Sequence, residues 1–283
     1  MKKIVFLAAV LAIAATSPAQ LVKGDRLGLE GDLHGMVGVV LDSQYIWRGF
    51  APYDNKSVVH VLADLNLFET GFGVSVAAHR ANSAGYENQE RWDYTLYYQA
   101  GLFTDEYYAT NYRLGFVYYN FPDNPATSWD LEELHVILSW PNLLPVKGLC
   151  PSYVLVRMWP AKSGSFVEHG VIPGETNVTG FAHIFMLDYG FTVPGILPDV
   201  PEQLIKLHSE LVYNDGVNPG GGRTDSDWTN AVLGASTDFN LGYNITLTPA
   251  LYYQLRMDES IARPSGEPGK NEVWASVGMK YTF

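Results

Sequence analysis

The final segment of the chain alternates. Val273, Ala275, Val277, Met279, Tyr281 and Phe283 are apolar on one parity; Glu272, Ser276, Lys280 and Thr282 are polar on the other, with Gly278 neutral and Trp274 the one bulky residue out of phase. Successive side chains of a strand point to opposite faces, so this segment has one oily face and one wet face. A strand of that kind at a chain end is an open edge that templates aggregation unless something closes against it.

The same pattern recurs along the chain. Val59, Val61, Ala63, Leu65 and Leu67 oppose His60, Asp64 and Asn66. Ile205, Leu207, Ser209, Leu211 and Tyr213 oppose Lys206, His208, Glu210 and Asn214, and Tyr243 to Leu255 repeats the alternation. About twelve such segments occur, each of roughly 10 to 15 residues, the length a tilted membrane strand needs. They span 33–48, 57–69, 71–80, 91–103, 106–120, 131–140, 150–160, 177–191, 203–214, 227–240, 242–256 and 271–283. Between them, polar Gly/Pro/Asp-rich connections alternate with mostly shorter ones, although Pro141 to Leu149 and Thr192 to Glu202 are longer than a tight turn requires. The pattern predicts an all-β fold: an antiparallel transmembrane β-barrel of about 12 strands, with short periplasmic turns and longer extracellular loops. In such a barrel the last strand pairs with the first and no edge remains.

The start of the chain places this barrel. Met1-Lys2-Lys3, an apolar run from Ile4 to Ala15 and Ser17-Pro18-Ala19 form a secretory leader over 1–19, leaving 20–283 as one barrel domain. The apolar run is shorter than the roughly 20 residues of a membrane-spanning helix. Removing Lys2 and Lys3 takes the formal charge from −12 to roughly −14, which argues against nucleic acid as a partner. The single cysteine, Cys150, excludes an internal disulfide and a thiolate zinc site. The expected address is the bacterial outer membrane, with its lipid as the surrounding partner.

One parity rule sorts the side chains of the wall. On the oily side, Tyr45, Trp47, Trp92, Tyr94, Tyr118 and Tyr213 fall at the outer rim, and Trp140, Tyr189, Phe191, Tyr243, Tyr281 and Phe283 at the inner rim. Two aromatic girdles are expected, since amphipathic rings favour the interface between lipid tails and water. The other parity is expected to line the lumen with Asp42, Arg48, His60, Asp64, Arg91, Asp93, Arg113, His135, Arg157, Lys206, His208, Glu210, Asp238, Arg256, Glu272 and Lys280, joined by His34 and His79. A charge inside needs water or a partner. The composition therefore fits a water-filled channel for small hydrophilic solutes and also a lumen plugged by its own ion pairs.

Tyr45, Trp47, Arg48 and Gly49, which close the first segment, form a Tyr-x-aromatic-Arg-Gly signature. It resembles the opening of a family of bacterial outer-membrane porins labelled TorF or Gcw_chp. The resemblance implies a porin-like barrel and brings no catalytic residues. The terminal Phe283 on an alternating strand is likewise similar to the segment that outer-membrane proteins present to the barrel-assembly machinery, which makes that machinery an expected partner.

Passive diffusion needs neither catalytic residue nor cofactor, and none is expected. Two rivals remain: a filled barrel serving as an adhesin, a structural anchor or a scaffold for a periplasmic partner, and a lipid-face hydrolase built on His183 and Ser209. Those two share the oily parity on neighbouring segments, and rough register sets them diagonal, about 7 Å apart. That exceeds the roughly 3 Å of a nucleophile–base hydrogen bond. No metal is expected. The acidic stretches Asp123 to Glu133 and Asp215 to Asp227 lack the ligand order of a calcium loop.

Overall fold

Each alternating segment becomes a strand. The structure is a computed structural model that describes residues 30–161, 179–196, 200–217, 226–258 and 269–283. The expected leader, 1–19, lies outside the described residues, as do most of the connections at 162–178, 218–225 and 259–268. The strands are β1 (His34–Asp42), β2 (Val58–Asn66), β3 (Phe72–Ala81), β4 (Arg91–Leu102) and β5 (Thr110–Asn120), then β6 (Leu131–Ser139), β7 (Leu149–Pro160), β8 (Gly180–Pro194) and β9 (Glu202–Asp215). β10 (Ser226–Thr237), β11 (Phe239–Gly242), β12 (Ile245–Arg256) and β13 (Glu272–Thr282) complete the set. Among the described residues the one α-helix is α1 (Ala126–Trp129), a single turn.

Every neighbouring pair is antiparallel, and the sheet closes on itself. β13 pairs with β1 from Met36↔Thr282 to Asp42↔Ser276, and Phe283 and Gly35 exchange backbone bonds of 2.9 and 3.0 Å. β10 and β11 both pair with β12, so they form one stave interrupted at Asp238. The result is a closed barrel of twelve staves in which the strand backbones bond to each other and no edge is exposed.

Register fixes which face each side chain takes. The outward positions carry Leu96, Leu134, Leu233 and Leu251, all more than half exposed, and the same parity is apolar around the ring. Contiguous exposed apolar surface of this kind marks a face that meets an apolar surrounding or partner. The girdle positions Trp92, Tyr94, Tyr118, Trp140, Tyr189, Tyr213, Tyr281 and Phe283 belong to this outward parity. Tyr189 stacks beside Phe191 and Tyr281 beside Phe283, while Trp92 lies against Tyr94. Trp274, out of phase in the sequence, is inward and buried, stacked on Tyr252 of the next strand at 5.1 Å.

Local chemistry moves several boundaries. Strand β1 stops at Asp42, not at Arg48: the chain leaves the wall after Asp42 and turns back at Arg48 and Gly49, which adopt φ of 51° and 82°. Tyr243 and Asn244 form a two-residue hairpin turn, with φ of 52° and 61°, the backbone that suits the twist of paired strands. Tyr243 therefore sits at the turn tip, 93% exposed, rather than on the wall where a girdle residue belongs. The connection before β5 runs from 103 to 109, longer than the tight Thr104-Asp105 turn of the sequence pattern; Phe103 turns left-handed and Tyr107 stays outside the ladder.

Candidate functional site: a lumen crossed by the first loop

The connection between β1 and β2 folds into the barrel. Its entry is pinned to β13, where Ser43 N donates to Ala275 O at 2.8 Å and Ala275 N donates to Ser43 Oγ at 2.9 Å. The chain then doubles back at Trp47 and Phe50, whose backbones exchange bonds of 2.7 and 3.0 Å across Arg48 and Gly49. Positive φ suits the glycine there, and a Cβ at Gly49 would lie 2.6 Å from Asn230 Oδ1 of β10. The Gly49 carbonyl accepts from Arg256 Nη1 at 3.3 Å and lies 3.5 Å from Gln254 Nε2, both on β12. The loop thus leaves β1, touches the wall at β10 and β12 and returns to β2.

What holds it is a mixture of rings and charges. Phe50, Ala51 and Tyr53 are buried. Trp47 packs edge-on to Tyr119 of β5 at 5.1 Å and joins the cluster of Val117, Leu131, Met158 and Val217. Arg48 reaches across the lumen, and its Nη1 lies 2.6 Å from Glu133 Oε2 on β6. Glu133 also accepts from Tyr119 Oη at 2.7 Å and lies 3.0 Å from His135 Nδ1. Burial alone would lower the Arg48 pKa; the charge of Glu133 outweighs it and raises the pKa above the ordinary guanidinium value. On the near wall, Arg91 of β4 forks onto Asp93 at 2.8 and 2.9 Å and donates to Tyr45 Oη at 2.6 Å. Its guanidinium lies over the rings of Trp47, Tyr119 and Tyr45 at 4.0, 5.2 and 5.5 Å. Burial pushes the Tyr45 phenol up to about 12 against the pull of Arg91. Tyr53, also buried, is raised too.

Register places most of the charge pattern inside. Asp42, His60, Asp64, Arg91, Asp93, Arg113, His135, Lys206, His208, Glu210, Arg256, Glu272 and Lys280 share the inward parity, and Asp238 sits at the break between β10 and β11 with its carboxylate 2.6 Å from Lys206 Nζ. Arg113 lies flat on Tyr97 at 3.5 Å, and Tyr97 Oη donates to Asp64 at 2.8 Å. Four positions here differ from the expectation. Arg157 points outward, exposed, with its guanidinium 5.2 Å from the Phe181 ring, because the inward side of β7 is Val154, Val156 and Met158. Tyr45 and Trp47 are not girdle residues: the turn at Arg48 and Gly49 carries them into the lumen. Arg48 is lumenal, but from the loop rather than from the wall.

The two halves of the lumen differ. Toward the end with the longer connections, the loop, its ion pairs and the apolar wall of Val154, Val156, Ala182, Ile184 and Val212 fill the interior. Between Trp47, Phe50, Tyr53, Arg91 and Phe121 only about 20 Å³ stays empty. Toward the short-turn end the described residues border open space. One cavity of about 670 Å³ is lined by Asn66, Gln99, Asn111, Arg113 and Ser139 together with Phe68, Phe72, Tyr112 and Ile137, and one of about 370 Å³ by Asp188, Lys206, His208 and Ser236 together with Tyr189, Leu207 and Tyr252.

Sequence reasoning did not find the loop's partners. Glu133 reads as the end of an acidic loop, yet its alternation with Leu131 and His135 puts it on the inward parity. The lipid-face pair separates: Ser209 stands opposite Leu187, and His183 opposite Tyr213, so the two lie four residues apart along the strands, about 13 Å. Ser209 Oγ donates to Leu187 O at 3.0 Å and His183 Nδ1 lies 2.7 Å from Tyr153 Oη.

No protein-family model and no curated protein matches the sequence. Among solved structures, the KdgM porin is similar at 12% identity with a TM-score of 0.50, over 88% of this chain and 99% of the porin. The NanC porin is similar at 12% identity with a TM-score of 0.53, over 87% of this chain and all of the porin. The fold is that of outer-membrane porins.

Proposed function

We propose that the protein is a porin-like channel of the bacterial outer membrane, passing small hydrophilic solutes, with the loop between β1 and β2 as its constriction. The observation that carries this reading is the row of inward polar side chains at the short-turn end, where Asn66, Gln99, Asn111, Arg113 and Ser139 stand with Phe68, Phe72 and Ile137 around about 670 Å³. Buried polar groups without such space would demand a partner each. In this reading the short turns face the periplasm, the lipid-facing aromatics sit at the two membrane interfaces, and β13 with its terminal Phe283 is the strand that the assembly machinery engages.

The close packing around Trp47, Phe50 and Tyr53 favours a second reading, a filled barrel acting as an adhesin or scaffold. Planar-bilayer recording of the refolded chain separates the two. Discrete conductance steps that grow when the loop is loosened by Glu133→Ala support the constricted channel. A folded barrel that stays silent in both forms supports the filled one.

A further inference from the structure

Four inward side chains on four consecutive strands form an unbroken chain of short contacts. Asp42 Oδ2 lies 3.0 Å from His60 Nε2, the Nδ1 atoms of His60 and His79 face each other at 2.6 Å, and His79 Nε2 lies 3.0 Å from Asp93 Oδ2. Both imidazoles are buried, at 5% and 7% exposure. Three hydrogen bonds need three protons. Two neutral imidazoles between two carboxylates supply only two, since each neutral ring has one N–H and an ionised carboxylate has none. With those two protons given to Asp42 and Asp93, the facing Nδ1 lone pairs would meet at a separation that only a hydrogen bond holds.

A metal ion does not resolve the shortage. Zinc binds imidazole nitrogen at about 2.0–2.1 Å, so two tetrahedral ligands stand roughly 3.3 Å apart. The observed contact is much shorter, and among the described residues no group of three or more His, Cys, Asp or Glu is placed to hold a metal. A proton fits the gap without moving either ring.

We propose that the His60–His79 pair binds one additional proton between its Nδ1 atoms, and that this proton fastens the first loop in the lumen through Tyr45. The Tyr45 ring stacks on His79 at 5.3 Å, with 6° between planes, and meets His60 edge-on at 4.6 Å. A positive imidazole pair attracts that ring face and a neutral pair does not. The charges facing the pair come from every side: Asp42 from β1, Asp93 and Arg91 from β4, the Tyr45 and Tyr53 phenols from the loop, Tyr252 of β12 toward Asp42, and Arg48 beyond Arg91. With the extra proton, two carboxylates are balanced by Arg91 and one shared imidazolium. Without it, the cluster holds an uncompensated negative charge and two opposed lone pairs, so alkalinisation releases Tyr45 and the turn that follows it.

The test is NMR of the refolded full-length barrel with ¹⁵N-labelled histidine rings, and it does not require the barrel to conduct. One exchangeable proton far downfield of the amides, correlated with two ring nitrogens and lost in both His60→Gln and His79→Gln, is the expected result. As pH rises that signal vanishes, and the Tyr45 ring resonances, assigned with Tyr45→Phe, move with the same midpoint. If the folded protein shows no such proton anywhere from about pH 5 to 9, or keeps it in either Gln variant, the shared proton is wrong. If it vanishes while Tyr45 stays still, the fastening role is wrong. Should a Gln variant not fold, the two-nitrogen correlation in the unmodified protein decides alone.

Discussion

Glu133→Ala removes the anchor on which the loop closes, and its cost can be worked from the contacts. Arg48 and Glu133 meet at 2.6 Å with side-chain exposures of 15% and 1%, so this is a buried ion pair. Deleting one partner of such a pair costs about 3 to 5 kcal/mol, most of it the charge left behind. The Tyr119 hydroxyl, which donates to Glu133, loses its acceptor as well, at about 1 to 3 kcal/mol if nothing replaces it. Yet Arg48 belongs to a connection, and a guanidinium that loses its partner can follow the loop out to water. The backbone of residue 133 stays paired with Val117 and Met158 whatever its side chain is. The loss should therefore fall on loop docking and not on the barrel. A shift of about 3 kcal/mol lowers the docked-to-undocked ratio by a little over a hundredfold.

A cysteine at Ala51, buried at 4%, reads that ratio directly once Cys150, the only native cysteine, is replaced by Ser. Labelling of Ala51→Cys by a hydrophilic maleimide, normalised to the unfolded chain, should rise by about that factor in Glu133→Ala, with the denaturant midpoint of the barrel nearly unchanged. Arg48→Ala should add little on top, leaving a coupling of more than about 1 kcal/mol in the double-mutant cycle. The reasoning is refuted if Glu133→Ala takes several kcal/mol from the barrel while Ala51→Cys stays as protected as before. In that case the loop is part of the barrel's own core.

Gly49→Ala should also undock the loop, through the strain of φ 82° and the Asn230 contact, and should raise Ala51→Cys labelling without touching any charge. Leu96→Arg places a cation on the outward face of β4, where Leu96 is 53% exposed, and should cost about 2 to 4 kcal/mol of folding stability in lipid; folding without penalty would contradict the face assignment. The Tyr45 phenol is raised from its ordinary value near 10 to about 12 only while it is buried in the docked loop. Release of the loop with the shared proton therefore returns it to the ordinary phenols, and an ultraviolet titration that loses one late-titrating tyrosine in Tyr45→Phe would show the loop still docked above pH 10 and contradict the fastening role. Ser209→Ala and His183→Ala should leave lysophospholipid release at background, since the Ser209 hydroxyl and the His183 ring have other partners.

The barrel was legible because its two faces obey opposite chemistry wherever lipid lies on one side and polar groups on the other. Val59 to Leu67 and Ile205 to Tyr213 are strands of this kind, and their observed bounds differ from the sequence pattern by only a few residues. The reading failed where that contrast vanishes. On β7 both faces are apolar: Leu155 and Trp159 outward, Val154, Val156 and Met158 inward. With oil on both sides, the lone charge of Arg157 is no mark of the lumen, and parity assigned from it is inverted. The inward wall can be apolar there because the lumen next to it is filled by protein, by Val217 and the first loop, and not by water. The same filling hid Tyr45 and Trp47. Their alternation continues that of β1, so parity alone carries them to the outer face, and only the left-handed pair Arg48-Gly49 reveals that the strand has already ended. Alternation reports the contrast between two environments along a strand; it does not reveal a segment that leaves the strand to become the environment of others. Arg48, Trp47 and Glu133 are such a case. The aromatic-Arg-Gly turn, whose alternation matches a strand's outer rim, is instead the part of the chain that packs into the lumen beside Arg91 and Glu133.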